Sequence, residues 1–210
     1  PAEMAKIKVL SKKYNFKIIE DASHALGSSI NNQLTGNCKF SDICVFSFHP
    51  VKIITSGEGG MATTNDILLK EKMLQYREHG IERFKTSNKN KSLNKWYYEQ
   101  QTLGYNYRMS DIHAALGLSQ LSRLKNIIKK RNKLADNYFK LLKKFPLKLP
   151  YRSKKNLCSF HLFIIQMDKN KTDIKRNTLF SYLRKKKIYT NLHYIPVNTH
   201  PFYFILSNRK

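Results

Sequence analysis

The stretch that decides the fold is Phe46-Ser-Phe-His-Pro-Val-Lys-Ile-Ile-Thr-Ser-Gly-Glu-Gly-Gly60. It holds one lysine, Lys52, in an apolar frame, with a hydroxyl group just upstream and a glycine-rich turn just downstream. We expect Val51, Ile53 and Ile54 to surround the amine with apolar groups. Because a low-dielectric environment disfavours the ammonium form, an amine held there becomes a usable nucleophile or base. The pattern therefore predicts a lysine that can form a Schiff base.

Strand and helix patterns alternate around this stretch. Short apolar, β-branched runs predict strands at residues 16–19, 41–47 and 60–64. Apolar periodicity and capping residues predict helices over residues 2–14 and from 65–66 to about 80. This alternation indicates an α/β fold with a largely parallel sheet. Asp21 follows closely after the first of these strand patterns and Ser47 ends the second, and the carboxyl edge of such a sheet is where functional groups gather.

The second half of the chain has a different organisation. Residues 81–101 are polar and lack periodicity, which indicates a loop or flap. Ser110-Asp111 predicts the start of a long basic helix that continues to about Lys144. The proline-containing segment 146–150 ends it, so we predict a large domain over residues 1–145 and part of a smaller α+β domain over 146–210. Within the smaller domain the patterns predict a strand at 159–167, a helix at 172–186 and a strand at 188–194.

Composition limits the classes of protein to which this chain can belong. The chain has 210 residues, is 41% hydrophobic and carries a net charge of +25. Its basic residues are dispersed, so we expect an anionic small molecule or compositional drift, and not nucleic acid, to explain the charge. No apolar run is long enough for a membrane span, and three cysteines without metal-ligand spacing indicate reduced thiols and a cytoplasmic protein that binds no metal. Both ends look cut, which predicts a fragment.

Asp21, Ser47 and Lys52 together match the needs of one cofactor. Pyridoxal 5'-phosphate (PLP) requires a lysine for its aldehyde, a carboxylate that keeps its ring nitrogen protonated, and hydroxyl or amide groups for its phosphate. Each residue alone has an ordinary interpretation, as a cap, a strand end or a solvated charge. Their combination predicts a PLP site.

Three stretches carry a resemblance to a known family. They are Glu20-Asp-Ala-Ser-His-Ala-Leu-Gly27, the opening stretch 46–60, and Gly104-Tyr-Asn-Tyr-Arg-Met-Ser-Asp-Ile-His-Ala-Ala-Leu-Gly117. In these the chain resembles the DegT/StrS-type sugar aminotransferases. The resemblance implies an aspartate-aminotransferase-like, fold type I PLP transferase large domain, of which residues 1–145 are the C-terminal part, followed by a partial small domain.

The resemblance also implies roles for individual residues. Lys52 would hold the cofactor and move the proton, and Asp21 would pair with the pyridine nitrogen. Ser23 would lie against the cofactor ring, and His24, where many members carry glutamine, would contact its phenolic oxygen. Ser47 would bind the cofactor phosphate.

One further residue implies a partner. Asn106 matches the asparagine that reaches the phosphate in the neighbouring subunit, so the resemblance implies a homodimer with a shared active site. Another phosphate-binding loop and a ring-stacking aromatic would come from an N-terminal part that we do not find in this sequence.

The sequence at residues 49–55, 96–100 and 103–112 most resembles the branch of the family that acts in pseudaminic acid biosynthesis. That branch transfers an amino group from glutamate to C4 of a UDP-linked 4-keto sugar. Trp96, His193 and Tyr194 are weaker candidates for contacts with the sugar nucleotide. Two alternatives stay open, namely a non-catalytic fragment of such an enzyme and an aminotransferase that acts on a different nucleotide-linked keto sugar. A dehydratase of this fold is disfavoured because such enzymes carry histidine where this chain has Lys52.

Overall fold

The computed structural model describes residues 2–82, 96–153 and 155–207. Its helices are α1 (Met4–Tyr14), α2 (Ile67–Arg77), α3 (Asp111–Ser122), α4 (Leu124–Leu142), α5 (Arg176–Lys185) and α6 (Pro201–Ser207), with a 3-10 turn at Val197–Thr199. Its strands are β1 (Ile19–Asp21), β2 (Ser29–Ile30), β3 (Gln33–Leu34), β4 (Ile43–Ser47), β5 (Gly60–Thr63), β6 (Ile81–Glu82), β7 (Glu99–Gln100), β8 (Leu147–Lys148), β9 (Asn156–Leu157) and β10 (Gln166–Met167). The predicted flap lies mostly outside the described residues, and its two ends, β6 and β7, pair antiparallel.

The sheet that carries the candidate site has the strand order β1-β4-β5. β1 and β4 are parallel, as the sequence indicated, with Asp21 opposite Val45. β5 instead pairs antiparallel with β4, with Gly60 opposite Ser47. A parallel return needs a crossover connection, usually a helix, and the residues between Ser47 and Gly60 form only a loop. The α/β fold with a parallel strand pair is therefore present, and β5 adds one antiparallel pairing that the sequence did not predict.

The core lies around β4 and the loop that follows it. Cys44 (0% exposed) and Phe46 (8%) alternate with less buried residues along the strand, as expected for a strand with one face in a core. Phe48, Ile53 and Ile54 belong to the same buried cluster. The lysine loop is thus part of the hydrophobic core that supports the sheet.

The predicted long basic helix is two helices. Ser110 caps the first as expected, because its hydroxyl oxygen accepts a hydrogen bond from the His113 N–H. The α-helical hydrogen-bond pattern is interrupted at Arg123, and α4 begins at the next residue. The hydroxyl of Ser122 donates to the Ser119 carbonyl oxygen, a side-chain bond of the kind that competes with the regular helix ladder.

Beyond residue 158 the predicted helix is confirmed in part, and the two predicted strands are mostly wrong. Of the expected strand at 159–167, only Gln166–Met167 is a strand, because Phe160 has φ +47 and turns the chain. The expected helix at 172–186 begins later, at Arg176, because the Thr172 hydroxyl forms a local turn with the Ile174 N–H. Residues 188–194 form no strand with any of the described residues.

The chain divides into two compact units. One contains residues 1–141 and 150–164, and the other contains 142–149 and 165–210. The assignment of a large domain to 1–145 and a small one to 146–210 stays a prediction. Over the residues described, we find no helix with the length and apolar character needed to cross a bilayer.

Candidate active site

Asp21 and Ser47 lie at the same edge of the sheet. β1 and β4 are parallel neighbours, Asp21 is the last residue of β1, and Ser47 is the last residue of β4. The pairing continues past the end of β1, because the Ala22 N–H donates to the Val45 carbonyl oxygen at 2.8 Å. The carboxylate and the hydroxyl are therefore brought to the carboxyl edge by backbone pairing.

Asp21 is held in its ionised form. Its Oδ1 accepts hydrogen bonds from the Ser23 hydroxyl (2.6 Å) and the Ser23 N–H (3.0 Å). The hydroxyl contact is the main reason that the pKa of Asp21 lies below its ordinary value of 3.8, and the backbone contact is the second. Partial burial opposes this shift, and the positive charges of His24 and Lys52 lower the pKa further. The contacts from Ser23 are therefore the main reason that Asp21 stays ionised.

The lysine loop, residues 49–59, is closed at its base by the backbone of Phe48. The Phe48 N–H donates to the Gly59 carbonyl oxygen, and its own carbonyl oxygen accepts from the Ser56 N–H and the Thr55 hydroxyl. Within the loop, the Lys52 N–H donates to the His49 carbonyl oxygen at 3.0 Å. Lys52 is therefore presented on a tight turn whose base is fixed in the core.

The apolar surroundings expected for Lys52 are only partly present. Ile53 (5% exposed) and Ile54 (3%) are buried, but Val51 is 64% exposed and does not enclose the amine. Pro50 and Val51 form the tip of the turn, so the Val51 side chain lies in solvent. Lys52 is half-buried, and its amine makes no hydrogen bond or ion pair with the residues that the structure describes. Its amine is available for a ligand.

Helix α3 supports the far side of the lysine loop. A Cβ at Gly57, which has φ +83, would lie 3.2 Å from the His113 ring, and a Cβ at Gly59 would lie 2.6 Å from the Met109 Cε. The loop backbone therefore packs tightly on the start of α3. Sequence reasoning missed this role of His113, although the spacing of the glycines was a signal that the backbone approaches another element.

Ser23 and His24 follow Asp21 on the same loop. Ser23 is half-buried and orients the carboxylate, while His24 is exposed and its ring centroid lies 4.3 Å from that of His161. The loop is also joined to a distant segment, since Ser29 pairs with Leu157. The contacts of Ser23 and His24 with a cofactor stay predictions.

Asn106 belongs to the same compact unit as Asp21 and Lys52. Its backbone forms a bridge with Glu78, beyond the end of α2, and its exposed side chain makes no hydrogen bond with the described residues. The rings of Tyr105 and Tyr107 stack on each other beside it, with centroids 4.7 Å apart. The contact of Asn106 with the phosphate in a neighbouring subunit's site stays a prediction.

The three weaker candidates are all exposed. Trp96 is 72% exposed and meets the ring of Tyr97 edge-on. His193 and Tyr194 belong to the second unit, where their rings lie 4.2 Å apart. Their contacts with a sugar nucleotide stay predictions. In the described part of the chain, no group of three or more His, Cys, Asp and Glu side chains is arranged to hold a metal ion.

The sheet edge and the lysine loop define a class, the fold type I transferases with an aspartate-aminotransferase-like fold, and solved structures confirm it. Helicobacter pylori PseC, described as an aminotransferase involved in pseudaminic acid biosynthesis, matches 100% of this chain and 54% of its own at 32% identity, with a TM-score of 0.87. A PLP form of Spr1654 from Streptococcus pneumoniae, described as a candidate sugar aminotransferase, matches 96% of this chain and 52% of its own at 27% identity, with a TM-score of 0.78.

Sequence comparison gives the family. Residues 1–210 match the DegT/DnrJ/EryC1/StrS aminotransferase family, and the chain belongs to it. The UDP-4-amino-4,6-dideoxy-N-acetyl-beta-L-altrosamine transaminase of Helicobacter pylori is 35% identical over 209 residues, which are 98% of this chain and 52% of that enzyme. The chain spans about half the length of the curated relatives that it matches.

Proposed function

We propose that this chain forms the lysine-bearing part of a PLP-dependent sugar aminotransferase. The single observation that carries the proposal is geometric: Asp21 and Ser47 end parallel neighbouring strands at one edge of the sheet, and the loop that bears Lys52 leaves from that edge. Membership of an aminotransferase family and similarity to a protein solved in a PLP form support the same cofactor.

The residues at this edge fit PLP chemically. Both hydrogen bonds from Ser23 go to Oδ1 of Asp21, and Oδ2 accepts none from the described residues. A carboxylate that stays ionised and has an available oxygen suits a pyridinium N–H. Lys52 offers an amine without a competing partner in the described chain, and Ser47 offers a hydroxyl at the end of the neighbouring strand.

When bound, PLP supplies an electron sink that stabilises negative charge at the carbon next to the amino group. Asp21 would hold the pyridinium proton in place because its pKa is kept low. Lys52 Nζ would bind the cofactor aldehyde and, as an amine, would take the proton from the α-carbon of the amino acid. Ser47 Oγ would donate a hydrogen bond to the phosphate.

For the substrates, we propose glutamate as amino donor and a UDP-linked 4-keto-6-deoxy sugar as acceptor, in the biosynthesis of pseudaminic acid or a related surface glycan. Glutamate would become 2-oxoglutarate while the C4 ketone becomes an amine. The named activity of the Helicobacter pylori relative supports this substrate class. We further propose a cytoplasmic homodimer in which Asn106 of one subunit completes the phosphate site of the other.

Absorbance and turnover test the proposal. The protein mixed with PLP should show the visible absorbance of a lysine-bound cofactor and should form 2-oxoglutarate from glutamate and the UDP-4-keto sugar. Lys52→Ala should abolish both signals, whereas Lys70→Ala, at an exposed lysine of α2, should change neither. Turnover in Lys52→Ala equal to that of the native protein would refute the role of Lys52. PLP binding without turnover would favour the alternative of a non-catalytic fragment.

A further inference from the structure

The segment Cys158–His161 contacts the loop that follows Asp21. Ser159 is fully buried (0% exposed) and Ser28 nearly so (2%). The Ser159 N–H donates to the Ser28 oxygen at 3.0 Å, and the Ser159 hydroxyl donates to the His24 carbonyl oxygen at 3.3 Å. Because that donation uses its one hydrogen, the 2.9 Å contact between the two hydroxyls must be a donation from Ser28. The backbone of His24 is thus fixed by a buried network from a segment 135 residues away.

Phe160 has a backbone conformation that is rare for its residue type. Its φ is +47, in the left-handed region, where a bulky aromatic residue is a genuine outlier. Such a conformation persists only when its surroundings enforce it, and it occurs preferentially at functional sites. Here α4 enforces it, because the Arg131 guanidinium donates to the Phe160 carbonyl oxygen at 3.0 Å and Asn132 donates to that of Cys158 at 3.0 Å. The Phe160 side chain is itself buried (7% exposed).

The left-handed turn has a specific consequence for the next residue. Ser159 faces Ser28, and after the turn at Phe160 the ring of His161 comes to 4.3 Å from the ring of His24, at an angle of 45°. Backbone and ring of His24 are therefore both held by one short segment. His161 is half-buried and lies in the same compact unit as Asp21 and Lys52.

We propose that His161 is a positioning residue for His24, and that it fixes the orientation of the His24 imidazole beside Asp21 before any cofactor binds. This inference rests on the proposed PLP-binding function, together with the prediction from the family resemblance that His24 contacts the bound cofactor. It would make the Cys158–His161 segment a part of the cofactor site, although none of its side chains needs to touch the cofactor.

The test compares three substitutions at one position. His161→Ala removes the ring, His161→Leu keeps much of the volume without planarity, and His161→Phe restores a planar ring. Phe163→Leu is the matched control, because Phe163 lies two residues beyond this segment and, among the described residues, packs against Tyr138, Phe139 and Phe160 without a ring contact to His24. Circular dichroism establishes that each variant is folded.

Two readouts are needed. In the cofactor-free protein, NMR of the His24 ring should show a contact with the His161 ring and a changed environment in His161→Ala. With PLP as the probe, affinity should fall roughly tenfold in His161→Ala, the scale on which supporting residues act in metal sites. His161→Phe should recover most of that loss, and Phe163→Leu should bind as the native protein does. If His161→Ala does not fold, His161→Leu takes its place in both measurements.

The outcomes separate this inference from the proposed function. Unchanged His24 resonances and PLP affinity in the His161 variants would overturn the inference, as would an equal loss of affinity in Phe163→Leu. Failure of the native protein to bind PLP would count against the proposed function, and the NMR comparison alone would then decide whether His161 positions His24.

Discussion

Asp42 precedes β4 and is hydrogen-bonded to Ile18, which precedes β1. Its replacement gives the sharpest test of this fold. Its Oδ2 accepts a hydrogen bond from the Ile18 N–H at 2.8 Å, just before β1. Its own N–H donates to the Ile18 carbonyl oxygen at 2.9 Å, and its carbonyl oxygen accepts from the Thr64 hydroxyl at 2.7 Å. Only the first of these bonds depends on the Asp42 side chain, so Asp42→Ala removes it together with the 3.5 Å contact of the carboxylate with the exposed Lys17.

The expected loss follows from the burial of that bond. The Asp42 side chain is only 20% exposed, so water replaces the lost partner of the Ile18 N–H poorly. A hydrogen bond to a charged group contributes about 1.5–3 kcal/mol, and we expect Asp42→Ala to cost about 2 kcal/mol of unfolding free energy. For a chain of this size that corresponds to a fall in melting temperature of roughly 4–8 °C. Asp42→Asn keeps a neutral acceptor and should cost about half as much.

The effect of Asp42 should also depend on pH. The Ile18 N–H is the main cause of a native pKa below the ordinary value of 3.8, and nearby lysines lower it further. A group with a lowered native pKa stabilises the folded state above its unfolded pKa and loses that contribution as pH falls through the native pKa. The advantage of the native protein over Asp42→Asn should therefore be complete above about pH 5 and should disappear below the native pKa of Asp42.

Thermal unfolding followed by circular dichroism measures both effects. Lys17→Met is the matched control, because the Lys17 side chain is 82% exposed and its ammonium lies 3.5 Å from the same carboxylate. It should change the melting temperature little, since exposed ion pairs contribute little. An Asp42→Ala variant that melts with the native protein at pH 7 would refute the reasoning, as would a difference from Asp42→Asn that does not shrink as the pH falls below 3.8.

Three other predictions concern single residues of the same unit. Burial raises the pKa of the Cys44 thiol to about 12, so its alkylation at pH 8 should be about 1000-fold slower in the native protein than after unfolding in urea, as measured by peptide mass spectrometry. Gly36 has φ +94 and a Cβ there would lie 2.6 Å from the Phe46 ring, so Gly36→Ala should lower the unfolding free energy by about 1–3 kcal/mol in urea titrations. Ser23→Ala should raise the pKa of Asp21 in a carboxyl NMR titration, because the main cause of its lowered value is removed; an unchanged pKa would contradict the assignment.

Local patterns predicted the elements around the candidate site well. The acid at the end of β1, the hydroxyl at the end of β4 and the cap at Asp66, which accepts bonds from two N–H groups of α2, all follow from short-range chemistry. The enclosure of Lys52 was overestimated, since a run of apolar residues does not reveal that Val51 occupies the tip of a turn.

Long-range contacts could not be predicted from the sequence. Nothing in a Ser-Phe-His triplet indicates that Ser159 and His161 meet the loop after Asp21, more than 130 residues earlier. The left-handed conformation of Phe160 has no signal in its residue type, since glycine and asparagine are the residues that favour it. The apolar run at 188–194 resembles a strand, but a strand needs a neighbour with which to pair, and single-sequence patterns do not specify one.

The closure of the lysine loop on Phe48 has a consequence for how this protein can change during evolution. Both ends of the loop are bound to one buried residue, so its span is fixed while its tip is not. Replacement of exposed Val51 should be tolerated, whereas one inserted or deleted residue between His49 and Thr55 would shift Lys52 relative to Asp21. In descendants of this sequence, substitutions in the loop should therefore be tolerated, but insertions and deletions should not.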